Sequence, residues 1–253
     1  MFKKAIVRKP SKSMVKGLTT AKLGSPDFNL ALIQHQKYIE ALIECGLDVT
    51  ILDADEHFPD STFVEDTAIL TPNCAIITNP GALSRKGEVL AIEKAVSGFY
   101  QNIEKIVDKG TVDGGDIMMV DKHFYIGRSE RTNREGAKQL TEILEKYELT
   151  ASTVTLEKML HLKSGLSYLE NNNLVITDEF VERSDFKKFN KLIVNESEVY
   201  AANCVWINDQ VLIATGYPKT KQIIEKAGYK TIELDMSEYR KLDGGLSCLS
   251  LRF

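Results

Sequence analysis

The segment Gly114-Gly115-Asp116-Ile117-Met118-Met119-Val120-Asp121-Lys122-His123-Phe124-Tyr125-Ile126-Gly127 reads as two short apolar strands joined at Asp121-Lys122, with glycine and acid at the leading end. Apolar, β-branched and aromatic runs on either side of a polar turn are the signature of a hairpin. A helix follows. From Asn133 to Tyr147, Ala137, Leu140, Leu144 and Tyr147 fall on one face, and Thr132-Asn133-Arg134-Glu135 reads as a capping box.

The same unit recurs on both sides of this one. Upstream, Phe63 to Leu70 turns at Thr71-Pro72-Asn73 and returns as Ala75 to Thr78. Downstream, His161 to Leu169 turns at Asn171-Asn172-Asn173 into Leu174 to Thr177, and Tyr200 to Ile207 turns at Asn208-Asp209 into Val211 to Ala214. A fifth first strand, Gly245 to Leu251, ends the chain, and Ala5-Ile6-Val7 is its expected partner, closing a ring. Units start about 40–51 residues apart, the spacing of a propeller or solenoid repeat. Further helices are expected at Asn29 to Cys45, with Leu32, Ile39, Leu42 and Ile43 on one face, and from Pro218 through Ile223, Ile224 and Ala227 to Gly228. His35, between Leu32 and Ile39, reads as a core histidine. The fold class is therefore α/β: a five-bladed, pseudo-symmetric propeller around a polar channel, with residues 1–253 as one domain.

Bulk composition limits the functions open to the chain. Its 253 residues are 43% hydrophobic and 27% charged, ordinary for a globular protein, with a formal net charge of −4. That charge disfavours a nucleic-acid or anionic-membrane partner, and no apolar run approaches membrane-spanning length. Charge returns soon after Ala5-Ile6-Val7, so no signal-peptide core forms and a cytoplasmic location is the expectation. Cys45, Cys74, Cys204 and Cys248 lack metal-ligand or disulfide-framework spacing. The first three sit in apolar helix or strand patterns and read as core, and neither a metal nor a cofactor is expected.

In a closed ring the starts of equivalent strands face the axis. Glu65, Asp66, Asp113, Asp116, His161, Asn203 and Cys248 occupy those starts. Unpaired buried charge is costly, so this register predicts a polar central site rather than a core. A thiol, an imidazole and a carboxylate supply a nucleophile, an acid/base and an orienting group, read here as Cys248, His161 and Asp113. The surplus acids Asp60, Glu65, Asp66 and Asp116 would repel a thiolate unless a cation intervened. A planar guanidinium matches paired carboxylates, and Arg85 and Arg131 would suit an anionic end of the same ligand.

These residues lie in motifs that resemble the dimethylarginine dimethylaminohydrolase family, of the pentein superfamily, along nearly the whole chain. The motifs are Gln34-His35-Gln36, Pro59-Asp60, Phe63-Val64-Glu65-Asp66, Gly81-Ala82-Leu83-Ser84-Arg85 and Asp113-Gly114-Gly115-Asp116. They continue as Gly127 to Asn133, His161-Leu162-Lys163-Ser164, Ala201 to Cys204 and Asp243 to Cys248. The resemblance implies five ββαβ-type units around a channel and cofactor-free hydrolysis of Nω-methylated arginine to citrulline and an amine. By matching motif it implies Cys248 as nucleophile, His161 as acid/base and Asp113 as orienter. Asp60 and Asp66 become guanidinium binders beside Glu65, and Arg85 and Arg131 carboxylate binders. Leu18 and Leu242 would offer backbone carbonyls to the α-amine, Leu18 from a lid loop. The match is weakest at Ser164 to Tyr168 and in the lid between Val15 and Pro26. Arginine deiminase-like or citrulline-hydrolysing activity, or binding of guanidines without catalysis, stay open. The implied partner is a small guanidino amino acid, and a homodimer is an assembly the resemblance allows.

Overall fold

Each repeat is one sheet. The computed structural model describes residues 1–253 as five three-stranded sheets, or blades. In every blade the middle strand pairs antiparallel with one neighbour and parallel with the other. The parallel partner needs a crossover, and mostly a helix supplies it. Blade 1 is Ala68–Leu70, Ala75–Ile77 and Ile103–Lys105, with helix Val89–Val96. Blade 2 is Ile117–Val120, His123–Arg128 and Thr150–Thr155, with helix Arg134–Lys146. Blade 3, Leu166–Tyr168, Asn173–Ile176 and Asn190–Ile193, has only two 3-10 turns as its crossover. Blade 4 is Val205–Ile207, Gln210–Ala214 and Lys230–Leu234, with helix Pro218–Lys226.

Blade 5 joins the two ends of the chain. Leu251–Arg252 pairs antiparallel with Lys4–Arg8 through Ala5↔Arg252 and Ile6↔Leu251, and Lys4–Arg8 pairs in parallel with Asp48–Leu52 after helix Phe28–Glu44. The ring closes as the pattern predicts.

The first strands are shorter than the sequence suggests, because the polar residues at their leading ends form a helical turn. These turns are Val64–Thr67, Gly114–Asp116, Leu162–Gly165, Glu196–Ala202 and Ser247–Leu249. Curling the backbone there lets each turn bond to the next. Gly115 N–H donates to Asp66 Oδ1 at 2.8 Å, and Leu162 N–H to Asp116 Oδ1 at 3.1 Å. Asn203 Nδ2 donates to the Lys163 carbonyl at 2.8 Å, and Ser247 N–H to Asn203 Oδ1 at 3.0 Å. Ser247 Oγ then donates to Glu65 Oε2 at 2.7 Å, which returns to blade 1. The polar register is thus a stitched hoop as well as the lining of a site. Close approach makes glycine necessary here: a Cβ on Gly114 would lie 1.9 Å from the Glu65 carbonyl oxygen.

The apolar core lies between blades. Ile69 and Ile76 of blade 1 pack with Val112 of the connection into blade 2 and with Phe124, Leu140 and Leu144 of blade 2, and equivalent clusters fill the other seams. No blade buries a core alone.

Two helix readings need correction. Asn133, not Thr132, caps Arg134–Lys146, its side chain accepting from Gly136 N–H at 2.7 Å, while Thr132 turns inward to Asp116. On Phe28–Glu44 the buried face is Ala31, Gln34, His35, Tyr38, Ile39 and Leu42; Leu32 and Ile43 point outward. His35 is core, as expected, with burial lowering its pKa to about 4.

Candidate active site

On one side of the hoop a cavity of about 160 Å³ is lined by Asp60, Asp66, Arg131, His161, Leu242 and Cys248, among others. A smaller polar cavity of about 60 Å³, beneath it, is again lined by both His161 and Cys248. The sulfur of blade 5 and the imidazole of blade 3 therefore share walls.

Cys248 sits mid-turn in Ser247–Leu249, with Sγ accepting from Gly245 N–H at 3.4 Å. It is partly exposed, whereas Cys45, Cys74 and Cys204 are buried, as their apolar contexts predict. Burial and the nearby Glu65 and Asp66 carboxylates push its thiol up to about 12, so it rests protonated. The preceding Gly244-Gly245 pair packs closely against its neighbours while also lining the two cavities. A Cβ on Gly244 would meet Phe63 at 2.3 Å, and one on Gly245 would meet Asn203 at 2.5 Å.

His161 is the residue just before the turn Leu162–Gly165, and Gly115 lies flat against its ring. Its Nδ1 is 3.4 Å from Asp116 Oδ1, an ion-pair distance without hydrogen-bond alignment. Burial acts to lower its pKa, but Asp116, Asp66 and Asp113 outweigh it and raise it to about 9. Asp116 is itself fixed by Ser129 Oγ and Thr132 Oγ1, each donating to Oδ2 at 2.6 Å. In this geometry Asp116 is the carboxylate against Nδ1, and Asp113, read as the orienting group, also lies within 4.8 Å of a ring nitrogen of His161. Asp113 spends Oδ1 on Gly81 N–H at 2.8 Å and leaves Oδ2 buried without a partner. Burial, with Asp66 close by, pushes its carboxyl up to about 6.

The remaining residues divide by how firmly the protein holds them. Asp66 Oδ2 takes Arg85 Nη1 at 2.5 Å, and although burial raises its pKa, Arg85 and His161 hold it near 2. Asp60 Oδ1 accepts from Leu18 N–H at 2.9 Å; burial raises its pKa, and Arg85 opposes. Glu65 is paired with Lys163 Nζ at 2.6 Å and faces the smaller cavity. Arg85 is buried and committed to Asp66, Glu88 and the Phe63 carbonyl, leaving one Nη1 hydrogen unused. Arg131 is different. Its guanidinium lines the cavity with no ion pair; only its backbone N–H donates, to Ser129 Oγ. Leu18 and Leu242 reach the same cavity, and neither carbonyl accepts a hydrogen bond within the protein. The loop after Leu18 is tied down by Thr19 Oγ1 to the Lys241 carbonyl at 2.8 Å and by Thr20 Oγ1 to Asp243 at 3.0 Å.

Asp66, Asp113 and His161 have ligand atoms within 4.8 Å of one another, a spacing a metal ion can use. The chemistry fits one poorly, since Arg85 already neutralises Asp66 and an imidazolium has no lone pair to give.

The family model for eukaryotic N,N dimethylarginine dimethylhydrolase matches residues 27–249. The N(G),N(G)-dimethylarginine dimethylaminohydrolase of Pseudomonas aeruginosa is 56% identical over 254 residues, spanning 100% of both chains. The chain belongs to the dimethylarginine dimethylaminohydrolase family. The family member of Streptomyces coelicolor is 33% identical across 99% of this chain and 96% of its own. A solved structure of the Pseudomonas enzyme, a cysteine-to-serine mutant complexed with citrulline, matches with a TM-score of 0.99 at 55% identity, covering 100% of each chain. The N-terminal domain of ArgZ, an arginine dihydrolase from cyanobacteria, matches with a TM-score of 0.89 at 18% identity over 98% of this chain and 96% of that domain, which shows the shared fold.

Within this family site, sequence reading missed Lys163, Ser247 and Arg252, whose polar groups converge on Glu65. A signal existed for Ser247. It holds the hoop position of blade 5, and that register is polar in every other blade.

Proposed function

We propose that the chain is a dimethylargininase, hydrolysing Nω-methylated arginine to citrulline and methylamine or dimethylamine through a covalent adduct on Cys248. The observation that carries this is the shared wall: a protonated imidazole and a thiol face one cavity whose other charged residues include Asp60, Asp66, Asp113 and a free Arg131. The substrate guanidinium enters between Asp60 and Asp66, and its α-carboxylate meets Arg131. The α-amine donates to the Leu18 and Leu242 carbonyls.

The arriving cation lowers the Cys248 pKa, and the thiol proton leaves to solvent. Sulfur attacks the guanidinium carbon. His161 donates its proton to the methylated nitrogen, the C–N bond breaks, and the electron pair leaves with the neutral amine. Neutral His161 then takes a proton from water, whose oxygen adds to the thiouronium carbon and expels sulfur. Asp116 keeps the imidazole oriented, and Asp113 adds negative charge near it. The reading carries a small guanidino amino acid as partner and a cytoplasmic location, which four unpaired cysteines support.

The test is product analysis with asymmetric dimethylarginine, monomethylarginine, arginine and citrulline in parallel. Dimethylamine and citrulline from the first support the reading. Ammonia from arginine or citrulline alone would replace it with a deiminase-like or citrulline-hydrolysing one, and no turnover of any of them with a binding protein.

The two arginines should separate by readout, one in stability and the other in KM. Arg85→Ala strands Asp66 and Glu88 without their cation and is expected to cost about 3–5 kcal/mol of stability, read as a lower denaturation midpoint. Arg131→Ala should fold normally and raise KM about 10- to 100-fold, the loss of one charge-assisted pair to substrate.

A further inference from the structure

A third cavity, of about 180 Å³, lies on the other side of the hoop. Residues before the turns, such as Asp60, Asp113 and Leu160, line the substrate cavity. Residues after them, such as Leu70, Met118, Tyr168 and Leu251, line this one. The two therefore open toward opposite ends of the axis. Glu65, Lys163 and Ser247 line both this far cavity and the small polar one that touches His161 and Cys248. One layer of side chains separates them.

We propose that this axial passage is the back door of the reaction, through which the amine leaves and the hydrolytic water enters, with Lys163 as its gate. The inference rests on the hydrolase reading. When the C–N bond breaks, the amino-acid part stays attached to Cys248 and fills the substrate cavity beneath the tied loop at Thr19 and Thr20. The amine must nevertheless go and a water must come to the same carbon. The small polar cavity is where both events occur, and its roughly 60 Å³ is ample, since one water needs about 10–15 Å³.

The partition is built to open without stranding a charge. Lys163 is a flexible, partly exposed side chain bound to Glu65 Oε1 at 2.6 Å. If it swings away, Glu65 keeps Ser247 Oγ at 2.7 Å and Arg252 Nη2 at 3.5 Å, so no carboxylate is left buried and unpaired. The far cavity supplies Glu170, a carboxylate with no ion pair, on its wall for the displaced ammonium. Its other walls, Met118, Met119 and Trp206 among them, are adaptable apolar surface suited to the methyl groups of a neutral amine.

The experiment obstructs the far cavity at either of two walls, Met119→Trp or Leu70→Trp, and follows the Cys248 adduct by rapid quench and mass spectrometry. Met119 is 37% exposed, so the larger ring has room to be tolerated, and the second variant guards against a folding failure of the first. Adduct formation with asymmetric dimethylarginine should keep its rate while adduct decay slows about tenfold and KM does not rise. Monomethylarginine, with its smaller amine, should be slowed less. Unchanged decay in a folded variant, or equal slowing of both substrates, would overturn the back door. An adduct that never forms in the parent protein would sink the hydrolase reading and the route with it.

Discussion

Cys248→Ser is expected to lose at least about 10⁴-fold in turnover while keeping the fold of the parent. The thiol already rests protonated, its pKa pushed up to about 12 by burial and by Glu65 and Asp66. Only the substrate cation makes its ionisation affordable, and a hydroxyl, far weaker as an acid, stays neutral beside that same cation. Steady-state citrulline release, with a thermal melt as control, measures this. The serine keeps size and polarity, and the Gly245 N–H contact can re-form on oxygen, so a normal melt with no product isolates chemistry from folding. A rate within tenfold of the parent would remove Cys248 from its role.

His161→Ala is the second large effect, about 10²- to 10⁴-fold in turnover, the usual share of a general acid/base. Its signature is in pH. In the parent, His161 carries its proton below about pH 9 because Asp116, Asp66 and Asp113 outweigh burial. The acid form that releases the amine is therefore present at neutral pH and lost as pH rises through about 9. The alkaline limb of the pH profile should lie near 9 in the parent and vanish in the variant. Stability follows the same sign: a folded pKa above the ordinary 6.5 gives stability fully present below about pH 6.5 and lost as pH rises through about 9. Asp66 acts oppositely, contributing above its ordinary 3.8 and failing as pH falls through about 2. An alkaline limb that persists without His161 would assign it to another group.

Much of the fold was legible because hairpins and helices announce themselves locally. Asn208-Asp209 marked its turn by chemistry, and both residues adopt positive φ there. Ring closure between Ala5 and Arg252 could be read from a first strand lacking a partner. Strand beginnings could not. Val64 to Thr67 looks extended by composition, yet curls because Glu65 and Asp66 have partners on neighbouring blades, about which local sequence says nothing. The same limit explains the site. A carboxylate near His161 was foreseeable; that Asp116 rather than Asp113 would face Nδ1 depends on which side chain Gly81 captures across a blade boundary. Arg85 and Arg131 likewise look alike in sequence and differ only in what surrounds them.

The seam in blade 5 gives the reaction centre an unusual place in the life of the chain. Ala5↔Arg252 and Ile6↔Leu251 join the two extremities, and Arg252 reaches on to Glu65. Until those extremities meet, the sulfur has no acids around it and behaves as an ordinary thiol. Completion of the proposed centre is thus tied to the meeting of the two extremities, and loosening either terminus is expected to lower activity together with the packing of the seams on both sides of blade 5.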